Sequence, residues 1–68
     1  MVVDVEVFVT GEKRQVALPA EATVRGLLRS LGIASGGVLV CVNGRHVIED
    51  HPLADRDRVQ IISAISGG

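Results

Sequence analysis

Aromatic residues are almost absent from this sequence. Phe8 is the single aromatic among 68 residues, and there is no tryptophan or tyrosine. Such a chain offers no platform for base stacking, and its net charge of −1 is far from the cationic footprint that holds nucleic acid, so no nucleic-acid partner is expected. Cysteine occurs once, as Cys41. An internal disulfide is therefore excluded, and a reducing, cytoplasmic setting is expected. No apolar run approaches the roughly 18 residues of a membrane-spanning helix. The opening Met1-Val2-Val3-Asp4 lacks the basic and apolar regions of a secretory signal, so no membrane partner is expected either.

Aliphatic residues are abundant. Hydrophobic residues make up 47% of the chain, and most are valine, isoleucine or leucine. A chain this short holds one core, hence one domain, and its β-branched content suits strands. From Val2 to Val9, valines at 3, 5, 7 and 9 alternate with Asp4, Glu6 and Phe8, the period of a half-buried strand. Thr10-Gly11-Glu12-Lys13 reads as a turn. Gln15-Val16-Ala17-Leu18 reads as the returning strand of a hairpin, closed by Pro19, which cannot donate to a ladder.

The period then changes. Val24, Leu27, Leu28 and Leu31 recur at i, i+3, i+4 and i+7, placing four aliphatics on one face of a helix and Arg25, Arg29 and Ser30 on the other. Thr23 is the expected N-cap and Gly32 the C-cap. Gly26, an unfavourable residue inside a helix, is expected to mark close packing against the sheet. After the loop Ala34 to Gly37, Val38 to Val42 is apolar on both faces, Asn43-Gly44 is a two-residue hairpin signal, and His46-Val47-Ile48 leaves it as a short strand. Glu49 to Leu53 predicts a loop leading into one helical turn with Pro52 at its first position. Val59 to Ala64 is the last strand, expected to be central and beside the first. These elements predict an α+β fold with a mixed sheet of four to five strands and one main helix on one face. That is the β-grasp layout, with residues 1–64 as the domain and 65–68 as a flexible tail.

A single helix covers one sheet face only. Val3, Val5, Val7, Val9, Val16, Leu18, Val59 and Ile61 are assigned to the covered face, and alternation then sends Phe8, Leu39, Cys41 and Ile62 to the open one. An apolar cluster on an open antiparallel face points to a partner site. The alternative is that the Val38–Val42 strand is shifted by one residue, so that part of the cluster belongs to the core.

The chain closes on Gly67-Gly68, an ending expected by chance in about one sequence in 200 at average glycine usage. With Val40-Cys41-Val42-Asn43-Gly44, the stretch Asp50-His51-Pro52-Leu53-Ala54-Asp55-Arg56-Asp57-Arg58-Val59, and Ile65-Ser66-Gly67-Gly68, the sequence resembles the ThiS/MoaD sulfur carriers, ubiquitin-like β-grasp proteins. The resemblance covers essentially the whole chain. Asp50 to Val59 is similar to the D-H-P-L-x-D-G-D-x-V segment of the MoaD type, with Arg56 where glycine is usual. That turn must avoid the left-handed region or accept strain. The ending Ser63 to Gly68 looks closer to the ThiS type.

The resemblance implies a mechanism. An ATP-dependent, ubiquitin-activating-type enzyme adenylates the Gly68 carboxylate. A persulfide donor replaces AMP, and the Gly68 thiocarboxylate delivers sulfur to a downstream synthase in thiamine, molybdopterin or tRNA-thiolation chemistry. On this view the chain is a covalent substrate and not an enzyme. It binds no cofactor, since ATP belongs to the partner. Ile65 and Ser66 orient the tail, and Gly67 and Gly68, lacking Cβ atoms, thread a narrow channel. Arg56 and Arg58 are candidates for pairing with acids on the activating enzyme, or are ordinary solvated arginines. Cys41 is expected to serve as a small hydrophobe in mid-strand. His46 and His51 lack the further ligands a metal site needs, so no metal is expected. Asp55 and Asp57 are expected to cap a turn. Two alternatives stay open. One is a protein modifier joined to lysines through Gly68, and the other a non-catalytic interaction module.

Overall fold

The computed structural model describes residues 1–8 and 10–63. The strands are β1 (Val2–Val7), β2 (Glu12–Ala17), β3 (Val38–Val42), β4 (Arg45–Val47) and β5 (Arg58–Ser63), with one helix, α1 (Val24–Leu31), between β2 and β3. They form one sheet in the order β2-β1-β5-β3-β4. β1 and β5 run parallel at its centre and the outer pairings are antiparallel. The last strand is central and beside the first, as its apolar character predicts.

The helix begins and ends where its sequence dictates. The Thr23 hydroxyl accepts a hydrogen bond from the Gly26 amide at 3.3 Å, satisfying one of the donors left open in the first turn. Gly32 ends the helix with φ at 72°. Its amide donates to the Arg29 carbonyl at 3.1 Å, and the Ile33 amide donates to Leu28 at 2.9 Å. These are the two bonds of a Schellman cap, which needs a residue that tolerates the left-handed region. Val24, Leu27 and Leu28 are buried, and Leu31 packs against the core at its edge. Gly26 departs from expectation. It is exposed, and a Cβ there would meet only the Thr23 hydroxyl, at 3.9 Å, so no close approach to the sheet explains it.

The core is wholly aliphatic. Val3, Val5, Val59 and Ile61 of the central strands face Leu27 and Leu28, with Val40, Val42, Leu18, Val24 and Leu53 completing the layer. Val7 and Val16 pack at its margin, and Val9 lies outside the described residues. No polar side chain is buried among the described residues, so no desolvated group needs a partner.

β4 and the start of β5 lie one residue earlier than expected, and the β1–β2 connection and the Pro52 segment depart further. β1 stops at Val7 and β2 starts at Glu12, because the Gly11 amide turns back onto the Val7 carbonyl at 2.8 Å with φ at 71°. The connection is therefore tighter than the apolar alternation suggests. The helical turn expected from Pro52 does not form. Pro52 bridges Thr23 in extended pairing, and the Leu53 amide donates to Ala22 at 2.9 Å. Burial of Leu53 beside the helix N-terminus holds this segment extended, a tertiary preference that overrides the local one.

Candidate functional site

The sheet face away from α1 carries the sequence-predicted partner residues, and strand pairing arranges them in rows. Leu39 stands opposite Ile62. The Phe8 amide donates to the Ile61 carbonyl at 2.9 Å, continuing the parallel pairing of β1 and β5 and setting Phe8 beside Ile62. Phe8 is 48% and Leu39 43% exposed, while Ile62 and Cys41 are half-buried. Val40 and Val42, one residue out of step, are in the core. The Val38–Val42 strand thus has the register that puts Leu39 and Cys41 on the open face, and the shifted alternative does not hold. Phe8 just past β1, Ile62 of β5 and Leu39 of β3 converge there, with Cys41 one row further along.

This apolar row lies at the end of the sheet from which the chain continues beyond Ser63. The tail residues Ile65, Ser66, Gly67 and Gly68 lie outside the described residues. The next row comprises Lys13, Glu6, Gln60, Cys41 and His46, and the one beyond it Gln15, Asp4 and Arg58, by the register of neighbouring strands. The face is therefore banded, apolar near the tail and charged away from it.

Arg56 and Arg58 lie at the other end of β5 from the tail. Five residues of strand, about 16 Å at 3.3 Å each, separate Arg58 from Ser63, so the structure does not bring the arginines together with the apolar row. Arg56 takes the second of the two options its sequence leaves: its φ is 70°, left-handed in spite of its Cβ. The surrounding bonds enforce this. The Arg56 amide donates to Val2 at 2.6 Å, and Asp55 Oδ1 accepts from the Val2 amide at 2.8 Å. Asp57 Oδ2 accepts from the Ala54 amide at 2.8 Å, and its Oδ1 accepts from Asn43 Nδ2 at 2.9 Å. Asp57 caps the turn and also ties it to the β3–β4 hairpin, whereas Asp55, expected to cap it too, instead ties it to β1 through Val2. That turn has φ of 52° at Asn43 and 85° at Gly44, the signs of the type I′ geometry its sequence predicts.

Cys41 sits in mid-strand, half-buried, with His46 opposite it in register. His51 lies in the loop before Pro52, where its carbonyl accepts from the Val24 amide at 3.0 Å. Among the described residues no group of three or more histidine, cysteine, aspartate or glutamate side chains is placed to hold a metal ion. No helix among them is long and apolar enough to cross a membrane. The features of the open face are an apolar row, a charged depression and the strand that leads into the Gly-Gly ending.

The ThiS family model matches residues 5–68, almost the whole chain and through Gly67-Gly68. The chain belongs to the ThiS family. Solved structures of the ubiquitin-like β-grasp kind share its fold. A Pyrococcus furiosus protein assigned as subunit 1 of a molybdopterin converting factor superposes with a TM-score of 0.78 at 24% identity, over 94% of this chain and 98% of that one. SAMP1 of Haloferax volcanii superposes with a TM-score of 0.79 at 18% identity over the full length of both. A second structure from that organism, small archaeal modifier protein 1, gives 0.78 at 15% identity, over 94% of this chain and 98% of that one. As a ThiS-family protein the chain has the ubiquitin-like β-grasp fold, a five-stranded mixed sheet with one helix.

Proposed function

We propose that this ThiS-family protein carries sulfur as a thiocarboxylate on Gly68. The observation that supports it most is the family match, which runs through residue 68 and joins the Gly-Gly ending to a body whose central strand leads into it. A carboxylate is a poor electrophile. In the proposed cycle its oxygen attacks the α-phosphorus of ATP on a partner enzyme and expels pyrophosphate, leaving an acyl-adenylate. A persulfide on a sulfur donor then attacks the acyl carbon and expels AMP. A second thiolate cleaves the resulting S–S bond, forming a disulfide and releasing the Gly68 thiocarboxylate. This chain contributes neither acid, base nor metal. It is the substrate that is activated, and the apolar row of Phe8, Leu39 and Ile62 seats it on the activating enzyme while Ile65 to Gly68 reach the nucleotide. A downstream synthase of the thiamine, molybdopterin or tRNA-thiolation type then takes the sulfur.

The test combines the chain with the activating enzyme of its own genome, ATP and a persulfide donor, followed by intact-mass analysis. The expected product is heavier by the difference between one sulfur and one oxygen, and deletion of Gly68 abolishes adenylation while the fold is unchanged. A truncated chain that is still adenylated at wild-type rate would refute the assignment. A second role as a protein modifier is favoured by one observation, the full-length fold likeness to SAMP1 at a TM-score of 0.79, together with the name modifier protein carried by the second structure from that organism. Its product is a Gly68–lysine isopeptide, read as higher-mass conjugates in lysates.

A further inference from the structure

Beyond the apolar row, the open face holds a shallow depression of about 590 Å³ whose lining includes Asp4, Glu6, Lys13, Gln15, Arg58 and Gln60. Arg14 also lines it, and of the five charges Arg14 alone closes an ion pair, with Glu12. Glu6 pairs in register with Lys13, and Asp4 with Arg58, so an acidic column on β1 runs between one base on β2 and one on β5. Neighbouring strands bring opposite charges within easy reach of each other. Yet none of these four forms an ion pair among the described residues. Other pairs on the surface do close. Arg25 meets Asp50 at 2.8 Å and Glu49 at 3.2 Å, and at the depression itself Arg14 meets Glu12 at 3.0 Å. Asp4, Glu6, Lys13 and Arg58 are thus unsatisfied by their own neighbours, and the depression adjoins the apolar row.

On the footing of the sulfur-carrier assignment, we propose that Asp4 and Glu6, flanked by Lys13 and Arg58, are specificity determinants that select the activating enzyme through a basic side chain placed over the β1 acidic column. Exposed ion pairs add little affinity in water. A patterned set of charges beside an apolar contact acts instead by raising the on-rate of a complementary partner and by penalising one that brings like charge. The apolar row would fit many hydrophobic surfaces, whereas an acidic column with one base on either side fits few. Selection therefore resides in the depression and grip in the apolar row.

The test is steady-state adenylation of the full chain by its own activating enzyme, with the carrier as varied substrate. Asp4→Lys with Glu6→Lys is expected to raise KM for the carrier by about tenfold or more with kcat nearly unchanged, the scale of one like-charge contact. Asp4→Asn with Glu6→Gln is expected to give a smaller rise and a weaker salt dependence of kcat/KM. Both variants keep the wild-type circular dichroism spectrum, because these side chains lie outside the core. An unchanged KM in the reversal variant, with wild type adenylated normally, overturns this proposal and leaves sulfur carriage standing. Failure of wild type to be adenylated at all overturns both. Sedimentation showing that the reversal abolishes a self-association, with KM unmoved, assigns the depression to a second copy and also overturns it.

Discussion

Replacing Arg56 by glycine should make this protein more stable, although it deletes a large side chain and an ion contact. Arg56 has φ of 70°, where a residue with a Cβ is disfavoured by about 1–2 kcal/mol. The conformation is imposed from outside, since the Arg56 amide is held on the Val2 carbonyl and the flanking Asp55 accepts from the Val2 amide. The side chain returns little. It is 79% exposed and its guanidinium lies 3.8 Å from the Asp55 carboxylate, in water that screens the pair. Glycine removes the steric penalty but widens the unfolded ensemble, which returns about 0.4–1 kcal/mol of the gain. A net stabilisation of about 0.5–1 kcal/mol remains. For a domain of this size that is a rise of about 2–8 °C in Tm. Arg56→Ala is the control, because it removes the charge and keeps the Cβ; its stability should stay within about 0.5 kcal/mol of wild type. Urea unfolding followed by far-UV circular dichroism, with thermal melts alongside, measures all three proteins. If the glycine variant is no more stable than the alanine variant, the backbone of residue 56 is not strained and the reasoning fails.

Other perturbations probe the core, the turn and the apolar row. Leu27→Ala removes a fully buried side chain and should cost about 2–5 kcal/mol, a large share of the roughly 3–10 kcal/mol expected for a chain of this length; the urea midpoint should fall accordingly with little change in slope. Asp57→Ala strips the acceptors of Ala54 N and Asn43 Nδ2 and should cost about 2 kcal/mol, seen as a lower midpoint and as faster hydrogen exchange at the Ala54 amide. Phe8→Ala with Leu39→Ala should change stability by no more than about 1 kcal/mol, because both side chains are half outside the protein already. Adenylation by the activating enzyme should nevertheless show a raised KM, and an unaltered KM would remove the apolar row from the partner interface.

Much of the fold is legible because its signals are local. The alternation of Val3, Val5 and Val7, the spacing of Val24, Leu27, Leu28 and Leu31, the caps at Thr23 and Gly32, and the Asn43-Gly44 turn each depend on dihedral preferences and periodicities within a few residues. The Gly-Gly ending is legible for another reason, since it is a chemical feature of the chain and needs no packing to exist. Tertiary structure decided what depends on residues far apart in sequence. A period of two divides Val38–Val42 into two faces without saying which is inside. Only pairing with β5 put Leu39 beside Ile62 and Phe8, because a shift of one residue exchanges the faces. Pro52 is extended because Thr23 and Ala22 pair with its segment, and Arg56 is left-handed because Val2 holds it there. The charge pattern of Asp4, Glu6, Lys13 and Arg58 likewise exists only once three strands from the two ends of the chain lie side by side.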